Sequence, residues 1–243
     1  MKISKNVKFG YFRKYIQVEN EKGEINMKPN VVNFHITDRC NYHCQYCFAK
    51  FKKKDPSLEE AKHIVDEIKG YFVEYGITNG RINLAGGEPT VYPYIEEIIR
   101  YIHKQGIKCS IITNGSHLTE EFCIRMSGML DMIGISIDAA TEDGNIRVGR
   151  CNMNGVPNFD QLARISDIIH TNGIRLKINT VVSKLNLHED LNSVYGRLRP
   201  NKVKLFYMHV VDNINASART LEPTREEYES FVKKSRSAIV KWL

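Results

Sequence analysis

Strand-like apolar runs alternate with amphipathic helical segments from residue 31 onward. The pattern predicts six strands, at 31–37, 82–85, 108–113, 132–137, 175–182 and 203–208. It predicts helices between them at 58–75, 94–105, 119–129, 159–171 and 190–197, and a last helix that follows Thr224. Such alternation indicates βαβ units and a parallel sheet. We therefore predict an α/β fold over residues 31–212, a partial (β/α)6 barrel of the TIM type that is open on one side, although periodicity alone does not exclude a doubly wound sheet.

One face of the predicted strands is polar, which is unusual for a parallel sheet covered on both sides. Side chains alternate between the two faces of a strand, so these polar positions share a face: Asn33, His35, Thr37, Arg81, Asn83, Ser136, Asp138, Lys177, Asn179 and Lys204. If the apolar positions pack under the helices, the polar ones face the barrel lumen. A buried cation without a partner is costly. Three cations there predict an anionic ligand such as a polyphosphate, although any one of them could instead lie at a strand end and face solvent.

Composition and charge restrict the class of protein further. The chain has 243 residues, of which 42% are hydrophobic and 26% charged, as expected for one folded domain and not for a disordered or collagen-like chain. A net charge of +7 indicates an anionic partner without choosing its kind. We expect no membrane association, because no apolar run approaches the roughly 20 residues of a membrane span. Six cysteines and no signal peptide predict a reducing compartment, the cytoplasm.

Three cysteines follow the first predicted strand directly. Cys40, Cys44 and Cys47 are separated by three and by two residues. Four thiolates complete the coordination of a [4Fe–4S] cluster, so three would leave one iron open. A structural zinc site needs four ligands and usually shows a second pair downstream; the other three cysteines of this chain lie far apart in sequence. The spacing favours the open cluster over zinc.

A Gly86-Gly87-Glu88-Pro89 turn follows the second predicted strand. Glycines let a backbone approach a ligand closely, and the proline prevents the strand from continuing. Together with the three-cysteine loop, this turn resembles the signature of radical S-adenosylmethionine (SAM) enzymes. The resemblance implies that the methionine end of SAM fills the open iron site and that the turn binds its amino group. One electron then yields a 5′-deoxyadenosyl radical, which removes a hydrogen atom from the substrate.

Further motifs narrow this resemblance to the viperin family. They lie at 32–37, 40–48, 58–62, 113–116, 148–150, 177–179 and 203–204, and the similarity extends over about residues 31–232. Membership implies a radical SAM lyase that removes the ribose 4′ hydrogen of CTP, UTP or GTP and forms the 3′-deoxy-3′,4′-didehydro nucleotide, an RNA chain terminator used in antiviral defence. It also implies a [4Fe–4S] cluster, SAM, and an electron donor such as flavodoxin or ferredoxin. We expect a monomer without a stable nucleic-acid partner.

The resemblance assigns roles to individual positions, none of them as an acid or base. Cys40, Cys44 and Cys47 match the cluster ligands. The cofactor positions are Phe48, Gly86, Gly87, Glu88, Pro89, Thr113, Asn114, Ser116, Ser136, Asp138 and Arg150. The substrate positions are Asn33, His35, Thr37, Arg81, Asn83, Lys177, Asn179 and Lys204.

The chain departs from the animal members of the family in several places. Arg81 replaces a lysine, and Ala85 replaces a serine. Residues 1–30 form a lead-in without the amphipathic membrane helix of the animal proteins, which indicates a soluble, prokaryotic-type member. Residues 213–243 are predicted to form a helix at the start of an extension that the family continues further.

Two other interpretations stay open at this point. One is a radical SAM enzyme that modifies RNA or a peptide. Against it, the cations point into the predicted barrel, and no auxiliary cluster motif lies near the C-terminus. The other is a non-enzymatic zinc or nucleic-acid binding module.

Overall fold

The computed structural model describes residues 29–47, 55–156 and 158–235. Most of the predicted lead-in, the predicted cofactor residue Phe48 and residues 236–243 lie outside this part of the chain. Among the described helices, none is both long and apolar enough to cross a membrane.

The sheet consists of six parallel strands in their sequence order. They are β1 (Val31–Thr37), β2 (Arg81–Gly86), β3 (Lys108–Thr113), β4 (Met132–Ser136), β5 (Arg175–Val182) and β6 (Lys202–Tyr207). Each strand pairs with the next, so β1 and β6 are the two edges. The predicted open α/β arrangement is confirmed, because an unbroken sequential order of parallel strands requires a crossover of the same kind after every strand.

Seven α-helices connect or follow these strands in the described part of the chain. They are α1 (Leu58–Glu74), α2 (Ile95–Lys104), α3 (Glu120–Arg125), α4 (Glu142–Arg147), α5 (Phe159–Thr171), α6 (Asn192–Leu198) and α7 (Arg225–Lys234). Two short 3₁₀ helices lie at Pro89–Val91 and Ala216–Leu221. Ser57 and Thr224 form the capping boxes of α1 and α7.

One helix was predicted much too long, another was predicted to begin too early, and a third was missed. α3 ends at Arg125, and Gly128 then adopts a φ of 75° that a helix cannot continue. α6 begins at Asn192, two residues later than predicted. α4 has only six residues, which is too few to show a helical period.

The core lies between the sheet and its helices. Val32, Phe34 and Ile36 of β1 are buried, whereas Asn33 between them is exposed. Ile98 of α2 is fully buried, and the side chain of Ile165 of α5 is only 1% exposed. Burying a side chain of this kind contributes about 1.5–3 kcal/mol. The apolar face of the strands therefore packs under the helices, and the polar face is turned to the other side of the sheet.

Candidate active site

The candidate site lies at the end of the sheet that is formed by the carboxyl termini of the parallel strands. The three-cysteine loop follows β1, the Gly-Gly-Glu-Pro segment ends β2, and Asn114 and Ser116 follow β3. Asp138 and Arg150 lie beyond β4, on either side of α4. In parallel α/β folds, ligands bind at the carboxyl ends of the strands.

The cysteine loop is attached to the segment after α4. The backbone N–H of Gln45 donates to Val148 O at 3.3 Å, and Gln45 Nε2 donates to Arg147 O at 2.8 Å. Gly149 has a φ of 80°, and a Cβ at this position would lie 2.6 Å from His43 O. A residue with a side chain would therefore push the loop away from its seat.

Hydrogen-bond donors and a cation surround the cysteine thiols. Cys40 Sγ accepts from the backbone N–H of Tyr42 at 3.4 Å and from Asn114 Nδ2 at 3.9 Å. Burial raises the pKa of Cys40, and it raises the pKa of Cys44 to about 12, although the charge of Arg150 opposes the latter shift. The thiols of Cys40 and Cys44 are thus neutral in the metal-free protein and would release protons on binding iron.

The Gly-Gly-Glu-Pro turn packs directly on the end of β1. Gly87 N donates to Thr37 O at 2.8 Å, and Glu88 N donates to Arg39 O at 2.8 Å. A Cβ on Gly86 would lie 2.2 Å from Thr37 O. In the structure the two glycines allow close approach to the strand that carries the cysteine loop, and their predicted approach to a ligand stays a prediction.

Glu88 is fully buried and faces the protein interior. Its carboxylate accepts from Thr113 Oγ1 at 2.7 Å, from Asn114 N at 2.5 Å and from both the backbone N–H and the hydroxyl of Thr90. With its oxygens used in this way, Glu88 positions the segment after β3.

Asn114 and Ser116 continue this hydrogen-bond network to the cysteine loop. Asn114 Nδ2 donates to Asn41 Oδ1 at 2.9 Å, and Asn41 Nδ2 donates to Ser116 Oγ at 2.8 Å. The motifs after β1, β2 and β3 are therefore held together as one polar unit.

A second buried network surrounds Asp138. Its carboxylate accepts from Val181 N at 2.7 Å, from Arg150 Nε and from the Tyr46 hydroxyl. Burial is the largest influence on the pKa of Arg150 and lowers it, but the charge and hydrogen bond of Asp138 together with Cys44 and Cys47 raise it overall, so the guanidinium stays charged. Asp138 thus holds Arg150 in place beneath the cysteine loop.

A small pocket opens beside this ion pair. Its lining includes Ser136, Arg150, Asn114 and Tyr42, together with apolar residues from α5. The predicted cofactor residues Ser136, Arg150 and Asn114, which come from three different segments, are therefore brought together.

Four cations belong to the polar face of the sheet. Lys177 of β5 pairs in register with Lys202 of β6, and Asn179 pairs with Lys204. Burial lowers the pKa of Lys177 to about 8, and the charges of Lys204, Lys202 and Arg81 lower it in the same direction. Lys202 was missed because the sixth strand was predicted to begin one residue later, although it lies two residues from Lys204 and so shares its face.

Arg81 is the first residue of β2. It therefore lies at the opposite end of that strand from the Gly-Gly-Glu-Pro turn, which packs on the start of the cysteine loop. Burial lowers its pKa, partly offset by Asp131. Its Nη1 is buried and has no hydrogen-bond partner among the described residues. A buried guanidinium N–H without an acceptor is expected where a ligand supplies one.

The remaining predicted substrate residues differ in whether their polar groups are already hydrogen-bonded within the protein. Asn83 Nδ2 donates to Asn33 Oδ1 at 2.7 Å, and Ser110 Oγ donates to Asn83 Oδ1 at 2.9 Å, which makes a polar row across β1–β3. His35 is half-buried on the same strand face as Asn33. Thr37 is buried, and its hydroxyl donates to Asp55 Oδ1 at 2.7 Å and accepts from Arg39 N at 3.1 Å. Thr37 therefore fastens the cysteine loop instead of facing the lumen with a free hydroxyl.

Comparison with known proteins identifies the family. The model of the Radical SAM superfamily matches residues 34–195. The chain belongs to the radical SAM superfamily. It is 35% identical over 200 residues to the S-adenosylmethionine-dependent nucleotide dehydratase of Thermoplasmatales archaeon (strain ISO4-H5), a match covering 82% of this chain and 70% of that protein. With the protein of the same name from Flammeovirga pacifica it shares 37% identity, over 74% of this chain and 63% of the relative.

The radical SAM fold is also found among solved structures. Streptococcus suis SuiB bound to S-adenosylmethionine superposes with a TM-score of 0.63 at 16% identity, over 84% of this chain and 47% of SuiB. At this identity the similarity concerns the fold alone. The resemblance to a radical SAM nucleotide dehydratase predicted from the motifs is confirmed by the relatives, and the superfamily favours the iron–sulfur cluster over the zinc interpretation.

The cysteine loop fits the cluster of a radical SAM enzyme. All three of its cysteines are free, N–H donors face Cys40 Sγ, and the Arg150 charge acts on Cys44 and Cys47. Among residues 29–47, 55–156 and 158–235, no three His, Cys, Asp or Glu side chains converge as ligands of a single metal ion. A [4Fe–4S] cluster does not require such convergence, because each thiolate binds a different iron.

Proposed function

We propose that this radical SAM enzyme dehydrates a ribonucleoside triphosphate to its 3′-deoxy-3′,4′-didehydro form. The observation that carries the proposal is the cationic lumen, in which Lys177 feels only positive charges from Lys204, Lys202 and Arg81. A triphosphate supplies the negative charge that such a group of cations needs. The printed names of the relatives, nucleotide dehydratases, support the same substrate class.

The radical chemistry belongs to the cofactors and the positioning to the protein. The cluster and SAM, when bound, supply a 5′-deoxyadenosyl radical. Cys40, Cys44 and Cys47 hold the cluster, and the Gly86–Pro89 turn places the amino group of SAM. Ser136 and Arg150 face its carboxylate, while Thr113, Asn114 and Ser116 lie near its ribose and adenine.

The lumen residues orient the ribose beneath the cofactor. Arg81, Lys177, Lys202 and Lys204 bind the phosphates, and Asn179, whose buried Oδ1 has no partner among the described residues, accepts a hydrogen bond from the nucleotide. The ribose 4′ hydrogen atom passes to the 5′-deoxyadenosyl group. The 3′ hydroxyl then leaves as water after addition of one electron and one proton, so no carboxylate base is required.

Several further assignments belong to this proposal. The electron comes from a flavodoxin or ferredoxin, the substrate is CTP, UTP or GTP, and the protein acts as a cytoplasmic monomer in antiviral defence. The free state of all six cysteines supports a reducing compartment.

Anaerobic reconstitution with iron and sulfide, followed by incubation with SAM, a reductant and each nucleoside triphosphate, tests the activity. We expect 5′-deoxyadenosine and a nucleotide lighter by one water with at least one of the triphosphates. The Lys204→Ala protein should keep its cluster and bind the triphosphate about 10-fold to 100-fold more weakly, since a hydrogen bond to a charged group contributes about 1.5–3 kcal/mol. Lys104→Ala, on the outer helix α2, serves as the matched control. Formation of no 5′-deoxyadenosine with any triphosphate contradicts the proposal.

A further inference from the structure

Tyr42 has a buried hydroxyl group without a partner. This residue lies between Cys40 and Cys44, its side chain is 5% exposed, and its hydroxyl makes no hydrogen bond within the described residues. The other tyrosine of the loop, Tyr46, donates to Asp138. Because buried polar groups are nearly always hydrogen-bonded, the Tyr42 hydroxyl is expected to meet a group that the protein itself does not supply.

The position of Tyr42 indicates where that group lies. Tyr42 lines the same pocket as Ser136, Arg150 and Asn114. Its backbone N–H is already bonded to Cys40 Sγ, which fixes the residue relative to the cysteine loop. The residue with the unpartnered hydroxyl therefore lines a pocket that Ser136, Asn114 and Arg150 also line, and it is bonded through its backbone to one of the cluster ligands.

Beside four apolar residues, the pocket offers hydrogen-bond donors for an anionic ligand group. Tyr42 and Ser136 carry hydroxyl groups, and Arg150 carries only donors. Arg150 shares part of its charge with Asp138, whose carboxylate also takes the Tyr46 hydroxyl and Val181 N. A carboxylate entering this pocket has two oxygens to satisfy and is bound most strongly by several donors at once.

We propose that the Tyr42 hydroxyl donates a hydrogen bond to the methionine carboxylate of bound SAM, as a third donor beside Ser136 and Arg150. This inference rests on the proposed function, since it assumes SAM as the occupant of the site. Tyr42 thereby couples the cluster loop to the cofactor: the residue that bonds to the Cys40 sulfur through its backbone also holds the carboxylate through its side chain.

The Tyr42→Phe variant tests the assignment, because it removes one oxygen atom and leaves the ring in place. The cluster-loaded variant and the unaltered protein are titrated calorimetrically with SAM and with 5′-methylthioadenosine, which lacks the aminocarboxypropyl group and hence the carboxylate of SAM. We expect about a tenfold weaker affinity for SAM, equivalent to about 1.4 kcal/mol, and an unchanged affinity for 5′-methylthioadenosine. Iron content and melting temperature should be unchanged.

Tyr195→Phe is the matched control, because Tyr195 is a buried tyrosine of α6 that does not line this pocket. It should bind SAM as the unaltered protein does. Equal SAM affinity for Tyr42→Phe and the unaltered protein overturns the assignment, as does an equal loss for SAM and 5′-methylthioadenosine. Failure of the unaltered, cluster-loaded protein to bind SAM contradicts the proposed function as well, which distinguishes the two failures.

Discussion

Lys177 occupies an electrostatic environment that disfavours its charged form. Burial and three neighbouring cations lower its pKa to about 8. The unfolded chain holds this proton more tightly, with a lysine pKa of about 10.4. Charged Lys177 therefore destabilises the fold below about pH 8, and this penalty disappears as the pH rises toward about 10.4. A bound triphosphate favours the charged form, so binding and protonation are coupled.

From this coupling we predict the pH dependence of substrate binding. The KM for the nucleoside triphosphate should rise as the pH increases through about 8, because the fraction of charged Lys177 falls. The Lys177→Arg variant keeps its charge at every pH in this range, so its KM should stay flat. Steady-state kinetics of both proteins between pH 7 and about pH 9.5 measure the difference. The same slope in both would show that another group controls binding.

Residues on the polar face could be predicted from alternation, but their contacts could not. The sequence places Thr37, Glu88 and Asp138 in the site by spacing or by resemblance. In the structure the side chain of each of them binds another side chain of the protein. Thr37 contacts Asp55, Glu88 contacts Thr113, and Asp138 contacts Arg150. The alternation of residues predicts which face of a strand a side chain occupies. Beyond the end of a strand, the direction of a side chain depends on the conformation of the loop, which has no sequence periodicity.

At the scale of elements, the loops that end the strands depend on one another for their positions. Glu88 ties β2 to the segment after β3, and Gly149 seats the cysteine loop on the segment after α4. Regular elements such as α5 and the capping box of α1 could be predicted from their residues, because period and caps are local signals. α4 could not be predicted in this way, although the cysteine loop is hydrogen-bonded to its C-terminal end.

The Gly149→Ala variant should lose cluster binding. Its Cβ would meet His43 O at 2.6 Å and its φ of 80° is strained, so the cysteine loop must move. Gly128→Ala is a matched control, with a similar φ of 75° and nothing within 4 Å of the added Cβ. We expect the control to bind iron normally after reconstitution and Gly149→Ala to bind less than half as much, by the visible absorbance and iron content. Equal iron content in both would contradict this role of Gly149.

The Glu88→Gln variant should unfold more easily. A glutamine offers one oxygen where the buried carboxylate serves Thr113, Asn114 and Thr90, and its amide group would face one of these donors. Leaving a buried donor unsatisfied costs about 1–3 kcal/mol. Denaturation in urea measures the loss, with Glu59→Gln on the exposed face of α1 as the control, expected within about 0.5 kcal/mol. Equal stability of the two variants would show that Glu88 is not a structural anchor.

At the scale of the whole molecule, strand order makes one site out of motifs that lie more than a hundred residues apart. The six strands follow one another in the sheet as in the sequence, so the motifs after β1 to β4 meet at one edge. The lysines of β5 and β6 lie on the open side of the sheet, and Lys204 is exposed there. The fold could be predicted because each βαβ unit is local; the meeting of Asn114 with Cys40 is a tertiary contact that only the folded chain reveals.

The transfer of one hydrogen atom tests the central claim most directly. The reconstituted protein is incubated with SAM, a reductant and a nucleoside triphosphate that carries deuterium only at the ribose 4′ carbon, and 5′-deoxyadenosine is analysed by mass spectrometry. Abstraction at this carbon predicts 5′-deoxyadenosine that contains one deuterium, together with an unlabelled 3′-deoxy-3′,4′-didehydro nucleotide. Unlabelled 5′-deoxyadenosine produced along with a nucleotide product that retains the deuterium would contradict it.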